Sequence, residues 1–521
     1  MPTKSVATFT NRQTRTFIQE DGIGTEFTLY DCQALTEWGR DYDETTYVKV
    51  KSPNEYGEKV IKESIPGDAN EPTFTVMAYT PEEADWLLGV SCPVDFQVHI
   101  GRCSSPSDQT GYRKIRHFYR ASPTSEGESA LDFLGDEEYG PVEQSVEWTA
   151  EDLVTVLQVD VSRQNNGVTE ANAFNDIAFL ENGRCEGECG AAIDDCQWGV
   201  AVADATYGSA TANVWVTADS GATWTITPFD PFGGNTANLS SCVILPGEVA
   251  PRIIVFRGNF DPAVAGPQCA ITDDWGQSAW AVVNMWEVAN LGHFGQYINA
   301  AFKFSVGLIY ACGDNGHVYY SQDRGASWTE ITEVTTGCAV DLWDIHTPDG
   351  DRVFVVGDTN NVYRSDDNCA TWTALTGPSH NNEDLLTVQA PTRYRVWVGG
   401  RIDDQDDVLW VSADGGTTWT DNDFTGSTTA SGEVRRVRAA HRASQNHIVM
   451  IHGVNNGSAQ RYGPGTNFRF FRTLNGGASW ERQDLVTNSG LNGLYVCEIN
   501  RAWAAGEAVG GVADIQRMAA T

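Results

Sequence analysis

No run of about 20 consecutive apolar residues occurs in this 521-residue chain, so no segment is suited to cross a bilayer as a helix. The first residues, "MPTKSVATFTNRQTRTF", lack the apolar centre of a secretory signal. That start leads us to expect a soluble protein made in the cytoplasm. Positive charge is scarce: 34 Lys and Arg stand against 70 Asp and Glu, a formal net charge of −36. Both parts share the imbalance, with 14 basic and 29 acidic residues up to position 165. Lysine almost disappears after that point, where Lys303 alone remains. A surface this acidic repels phosphate backbones, which argues against sequence-seeking nucleic-acid binding and for solubility. Between residues 170 and 521 there is no long 3.6-residue apolar stripe, so extended helices are not expected there. Gly-rich phosphate loops, a Ser-His-Asp order and an HExxH motif are also missing.

Glycine (51) and tryptophan (17) are abundant, as in chains with many tight turns between aromatic-rich strands. They recur together in one octet, Ser/Thr-x-Asp-x-Gly-x-Ser/Thr-Trp. It reads "TADSGATW" from Thr217, "SQDRGASW" from Ser321, "SDDNCATW" from Ser365, "SADGGTTW" from Ser412 and "TLNGGASW" from Thr473. A degenerate copy, "TDDWGQSAW" from Thr272, carries one extra residue before Trp280. The intervals are 55, 49, 44, 47 and 61 residues. A unit near 50 residues that cannot bury its own apolar face must stack on its neighbours. "GLIYACGDNGHVYYSQDRGASW" reads as alternating strands joined by Gly/Asp/Asn turns, hence antiparallel pairs. Four-stranded antiparallel sheets at this interval make β-propeller blades.

Seven sheets are counted, at 175–230, 240–287, 297–333, 340–377, 384–424, 433–485 and 490–521. The last has no octet and looks one strand short, so a strand from upstream of residue 175 is expected to complete it. Each octet would form the hairpin between third and fourth strands. Its Asp accepts backbone N–H groups, its Gly supplies a positive φ, and its Trp buries a ring. The expected structural residues are Asp219 and Trp224, Asp323 and Trp328, Asp367 and Trp372, Asp414 and Trp419, and Asn475 and Trp480. Cys369 and Asn475 depart from the pattern, at the Gly and the Asp positions, and Cys369 is expected to strain its turn.

The octet resembles the Asp-box (BNR repeat) of sialidases, sortilin-type receptors, photosystem II assembly propellers and related glycan-processing enzymes. The resemblance implies a seven-bladed propeller over residues 166–521, with the boxes on the rim and any ligand at the axis. A sialidase of this shape needs three arginines, a Tyr–Glu nucleophile pair and an Asp acid/base. Here Arg364, Arg401 and Arg435 have no spacing that ties them together, and "PRIIVFRG" (Arg252, Arg257) follows the first box instead of preceding it. A xyloglucan-type endo-hydrolase needs two propellers, and this chain has room for one.

Residues 1–165 carry no octet. "TYVKVKS", "PTFTVMAY", "VDFQVHIG" and "YRKIRHFYRA" read as strands, and "TPEEADWLL" as a short helix capped by Thr80, Pro81 and Glu83. Strands plus one helix suggest a compact β-sandwich or small barrel, with "QNNGVTEAN" (164–172) as a linker open to proteolysis. The basic stretch "GYRKIRHFYR" suits a charge-guarded strand edge, or a salt-bridging interface to an acidic copy of the chain, better than a nucleic-acid or phosphate site. The arrangement, with the polar loop "IPGDANEPTFTV", resembles the tail-tube protein of long-tailed bacteriophages. That resemblance implies a homo-oligomer of stacked hexameric rings, DNA passing through the lumen without specific binding, and a virion location after synthesis in a host cytoplasm.

Cys185, Cys189 and Cys196 cluster without a nearby His or fourth Cys, which leaves zinc or structural cysteines, reduced or disulfide-bonded, as alternatives. Asp403, Asp404, Asp406 and Asp407 lie close together but lack the Gly and terminal Glu of a calcium loop, so a solvated turn is expected. The sequence therefore leads us to expect a mostly β structural protein with no catalytic residues, metal or cofactor. Its propeller would serve as surface decoration, with a cell-surface glycan as a candidate partner. The alternatives are a glycoside hydrolase acting at the propeller axis and a cellular assembly-factor or receptor propeller.

Overall fold

A computed structural model describes the strands of residues 14–157 and most of residues 159–520. Left outside this description are the connections within 1–158, residue 521, and 170–171, 181–195, 205–212, 233–237, 248–249, 259–265, 286–297, 306, 332–339, 379–383, 402–408, 423–431, 441–445, 456–464 and 486–489. The helix expected at Thr80, and Cys185, Cys189 and Asp403–Asp407, fall outside the described residues. The chain divides into two compact units, 1–159 with 520–521, and 160–519.

The first unit contains two sheets. Three strands, Trp38–Tyr42, Glu44–Lys51 and Glu58–Ile61, form one. The other runs in the order Thr28–Tyr30, Thr14–Glu20, Val94–Gly101, Tyr112–Glu126, Gln144–Thr149, Thr73–Ala78, with Asp152–Leu157 added on Tyr112–Glu126.

The second unit is a β-propeller of seven four-stranded blades, the fifth and sixth joined into one eight-stranded sheet by the pairing of Arg401 with Glu433. They span Phe174–Ile226, Leu239–Asn284, Ile298–Ile331, Leu342–Leu375, Asp384–Asp421, Gly432–Asp484 and Leu491–Ala520, the last with one strand from elsewhere. Each innermost strand contacts the innermost strand of the next sheet, and Leu491–Glu498 contacts Phe174–Phe179, so the ring closes. The second strands explain the near-continuous apolar runs: "GVAVA", "IYACG" and "VFVVG" are buried at every residue. Each is covered on both faces by neighbouring sheets, which removes the alternation expected of a half-exposed strand. The apolar core is therefore divided among the gaps between sheets. Val243, Leu245, Ile254 and Phe256 of the second sheet, for example, meet Ile298, Ile309 and Tyr319 of the third. Fourth strands face solvent and are short.

All seven innermost strands carry a register shift near their starts, at Phe174/Asp176, Leu239/Ser241, Ile298/Ala300, Leu342/Asp344, Leu385/Thr387, Val434/Arg436 and Leu491/Gly493. A bulge redirects a side chain out of the ladder. Here the extra residue often reaches the next sheet: Asn175 Nδ2 donates to Leu239 O at 2.9 Å, Asn299 Nδ2 to Leu342 O at 3.0 Å, and Asn492 Nδ2 to Phe174 O at 2.8 Å.

The strand that completes the seventh sheet is Val159–Arg163, hydrogen-bonded to Val512–Ala520. The residues that follow it correct the linker expectation. Gln164 N donates to Ile515 O at 2.8 Å, Ile515 N donates to Asn165 Oδ1 at 2.8 Å, and Trp224 N donates to Asn166 O at 2.9 Å. Val168 is buried, and a Cβ on Gly167 (φ +87°) would sit 2.3 Å from Trp224 O. Gln164, Asn165 and Asn166, which have a linker's composition, are the groups that bond the two ends of the ring together. Cleavage in this stretch would cut the closing strand away from the propeller.

Candidate functional site

Six octets, one in each of the first six sheets, share one hydrogen-bond pattern. In the third sheet, Ser321 Oγ donates to Asp323 Oδ1 at 2.9 Å, and Gly325 N donates to Ser321 Oγ at 2.8 Å. Ser327 N donates to Asp323 Oδ1 at 2.8 Å and Ser327 Oγ to Asp323 Oδ2 at 2.5 Å. Asp219, Asp367 and Asp414 accept the same set. In the last copy Asn475 Oδ1 accepts from Ser479 N at 2.9 Å, while its Nδ2 donates to Ser479 Oγ at 3.0 Å. The copy from Thr272 makes the same turn through Asp274, so the extra residue lies after the turn and leaves it intact. The seventh sheet has no octet because its third and fourth strands come from opposite ends of the chain.

The octets also tie each sheet to the one before it. The fourth residue of each turn has a positive φ, and a group from the preceding sheet contacts it. Trp503 Nε1 donates to Ser220 O (3.2 Å), Arg252 Nη1 to Arg324 O (3.1 Å), Arg364 Nη1 to Gly415 O (2.8 Å) and Arg395 Nη2 to Gly476 O (2.7 Å). Tyr310 Oη reaches Asn368 Oδ1 at 2.8 Å, and Trp198 meets Trp275 edge-on at 4.8 Å. The fifth residue lies against that neighbour too. A Cβ on Gly325 would come 2.6 Å from Ile254, whereas Cys369, at φ 69°, buries its thiol beside residues of the third sheet. Trp224 is buried, Trp328 donates to Gly325 O at 3.1 Å, and Trp372 packs beside Cys369. Trp419 and Trp480 donate to Thr376 O and Asn422 Oδ1 of the preceding sheets at 3.0 and 2.8 Å.

Burial alone would raise the Asp323 carboxyl, but hydrogen bonds from Ser327 and Ser321 outweigh it and hold the group below the ordinary range. Replacing Asp323 or Asp414 with Ala is expected to cost roughly 1–3 kcal/mol, read by urea titration, because turn N–H groups lose their acceptor. Ligand binding by the folded variants should be unchanged.

The arginines singled out in the sequence are dispersed. Arg252 pairs with Asp273 and Arg364 with Asp366, Arg401 joins Asp384, and Arg435 lies buried against Glu433 at 2.9 Å. Arg257 sits over the Phe232 ring. Beside Arg401, Asp358 accepts from Trp343 Nε1, and burial followed by the charges of Asp384 and Asp341 pushes its carboxyl up to about 6. A carboxyl raised in the fold binds its proton more tightly there than in the unfolded chain, so stability falls as pH rises from about 4 through about 6. Asp358→Asn should therefore melt above the parent at pH 8 and with it at pH 4, in thermal scans across that range.

On the axis, where the resemblance places any ligand, lie residues that sequence reasoning did not single out as a site. The C-terminal halves of the seven innermost strands, with the residues just after them, surround a cavity of about 160 Å³. Antiparallel order brings the ends of first and third strands to one face, so the cavity shares its face with the octet turns. Its polar lining includes Asp176, Lys303, His346, Gln389 and Arg438, beside Phe302 and Tyr495. Asp176 accepts from Ser241 Oγ (2.6 Å), Cys242 N (3.2 Å) and Ile177 N (2.9 Å). Behind Arg438, the buried Asp344 accepts from Thr387 Oγ1 (2.8 Å), Val388 N (3.1 Å) and Arg438 Nη1 (3.1 Å). Ala390 N donates to His346 Nδ1 at 3.2 Å, which puts the ring proton on Nε2. The Gln389 side-chain amide lies 2.9 Å from Nε2 through one of its two polar atoms, and its other polar atom, the oxygen Oε1, is buried with no hydrogen-bond donor among the described residues. The signal for this site in the sequence was Lys303, the one lysine of the propeller.

Cys196, just before the second strand of the first sheet, is disulfide-bonded to Cys497 in the innermost strand of the seventh. It is therefore not a free zinc ligand. Cys242, Cys269, Cys312 and Cys369 are buried thiols.

A family described as "Sortilin, neurotensin receptor 3" (Sortilin-Vps10) matches residues 316–464, from the third sheet into the sixth. No curated protein matches the chain. Among solved structures, YCF48 from Cyanidioschyzon merolae is 14% identical over 69% of this chain and 98% of its own, with a TM-score of 0.46. The GH74 xyloglucanase from Xanthomonas campestris is 10% identical over 68% of this chain and 55% of its own, with a TM-score of 0.45. The Trypanosoma rangeli sialidase is 13% identical over 70% and 59%, with a TM-score of 0.36. These findings do not support the tail-tube resemblance of residues 1–165.

Proposed function

We propose that this chain is a non-enzymatic recognition protein whose propeller holds a small glycan unit bearing an acidic group in the axial cavity. The observation that carries the reading is the lining. In a chain of net charge −36, the single propeller lysine and Arg438 meet at one cavity beside the buried Gln389 amide, one polar atom of which is unpaired among the described residues. Cationic donors suit a carboxylate, and the rings of Phe302 and Tyr495 suit the apolar face of a sugar. The volume accommodates a single ring.

Glycoside hydrolysis uses two carboxyl groups on either side of the bond. Asp176 is the only carboxylate among the described lining residues, and three donors already occupy its oxygens. That favours binding over turnover. Residues 1–165 enter this proposal only as a separate unit, and the virion role is not carried forward.

Calorimetry with glucuronate and with glucose tests the reading. Glucuronate should bind and glucose should not, and Lys303→Gln should weaken glucuronate binding about tenfold, the loss of one charge-assisted hydrogen bond. Equal binding of the two sugars, or indifference to Lys303→Gln, would overturn the acidic-ligand assignment.

A further inference from the structure

The seam between the first and seventh sheets is where the two ends of the propeller chain meet. Beside the hydrogen bonds of Asn492 and Trp503 to the first sheet, it is held by the Val159–Arg163 strand, the stacked rings of Phe179 and Trp503 (4.0 Å between centroids), and the Cys196–Cys497 disulfide. The two sulfurs differ in surroundings. Cys196 is fully buried, whereas Cys497 is partly exposed and lines the axial cavity. Arg501 Nη2 lies 3.4 Å from Cys497 Sγ, and the Arg501 and Arg517 guanidiniums both lie over the Trp503 ring. A guanidinium at that distance stabilises a thiolate, and stabilising the reduced form makes a disulfide easier to reduce.

We propose that Cys497 is a thiol-exchange site in the cavity wall, and that breaking its bond to Cys196 unlatches the cavity at the seam. The co-reactant is a dithiol. One of its thiolates attacks Sγ of Cys497, the partly exposed residue of the pair, forming a mixed disulfide and expelling the Cys196 thiolate, which takes up a proton. The second thiol of the reductant then attacks its own sulfur in the mixed disulfide and expels Cys497 as a thiolate beside Arg501. One S–S bond is broken and one formed, and two electrons pass from the dithiol to the protein.

The seam residues Phe179, Leu494, Tyr495 and Cys497 all line the cavity, so loosening them changes it directly. The closing strand and the ring stack are noncovalent and survive reduction, so the propeller stays folded. An intact disulfide corresponds to an oxidising compartment and the open seam to a reducing one. Control of ligand binding by this step rests on the reading of the cavity given above, whereas the unlatching does not.

The test needs no ligand. Cys242 lines the cavity as a buried thiol, and Cys312 is buried between the third and fourth sheets. The full chain is treated with dithiothreitol, then pulsed with N-ethylmaleimide, and labelling is read by peptide mass spectrometry. Reduction should speed labelling of Cys242 by about tenfold or more, the protection afforded by burial, and leave Cys312 unchanged. The Cys196→Ser/Cys497→Ser variant should show the same pattern without reductant. Arg501→Gln should raise the dithiothreitol ratio needed for half-reduction about tenfold, since the Cys497 thiolate loses its counter-charge. Three outcomes would overturn the proposal: Cys242 and Cys312 accelerating together, neither responding, or a disulfide that yields to dithiothreitol only in denaturant. Failure of glucuronate to bind in the separate calorimetry would leave these labelling results standing.

Discussion

Removal of residues 1–167 should leave a propeller that does not fold stably, whereas removal of residues 1–157 should leave one that does. The two constructions differ by ten residues that contribute the fourth strand of the seventh sheet. Without them Val512–Ala520 becomes an open edge, and Ala513, Asp514 and Ile515 lose their bonds to residues 163–165. Asp514 is the costliest loss: its side chain is fully buried, and Arg163 Nε pairs with it at 2.7 Å. Arg163 is itself a third exposed and Gln516 still donates to Asp514, so losing this charge-assisted bond costs about 1–3 kcal/mol. The first octet suffers as well, since Trp224 N loses Asn166 O. Together these losses approach the whole stability of an ordinary domain, about 5–15 kcal/mol. Circular dichroism melts of the two truncations decide the matter. Equal melting temperatures would mean that the closing strand is dispensable.

Asp344→Ala should cost about 3–5 kcal/mol, more than any single octet substitution, because it strips the partner from a charged group and from buried donors. One carboxylate here joins three sheets. Asp344 lies in the fourth, Thr387 and Val388 in the fifth and Arg438 in the sixth, and Thr387 Oγ1 accepts in turn from Val437 N at 3.2 Å. A related chain runs from Asp176 through Ser241 to Ala301 N across the first three sheets. A urea titration of Asp344→Ala, Arg438→Met and the double variant should show strong coupling, with the double variant less damaged than the sum of the two. Additive losses would mean that the pair is not energetically linked. Because Arg438 also lines the cavity, both single variants should weaken glucuronate binding.

What could be read from the sequence was local. An octet closes its hydrogen bonds within eight residues, so Asp323, Ser327 and Gly325 show their purpose by their spacing alone, and five copies at intervals near 50 imply repeated four-stranded sheets. The sequence positions of the seven sheets follow from the same periodicity. The copy from Thr272 was harder to place because its extra residue shifts Trp280, although the turn itself is unchanged.

What only the tertiary structure decided was every contact created by closing the ring. Asn165 meets Ile515 across 350 residues and Cys196 meets Cys497 across 301, and no spacing rule connects such pairs. The polar residues after Arg163 have the composition of a linker because both linkers and strand-end hydrogen bonding use Asn and Gln. Their role depends on what lies opposite them. The same holds for the axial cavity: Lys303, His346, Gln389 and Arg438 come from four different sheets, and apart from the rarity of Lys303 nothing in their own segments marks them. They share a site only because seven innermost strands, each shifted by one bulged residue, converge at the same depth on one axis.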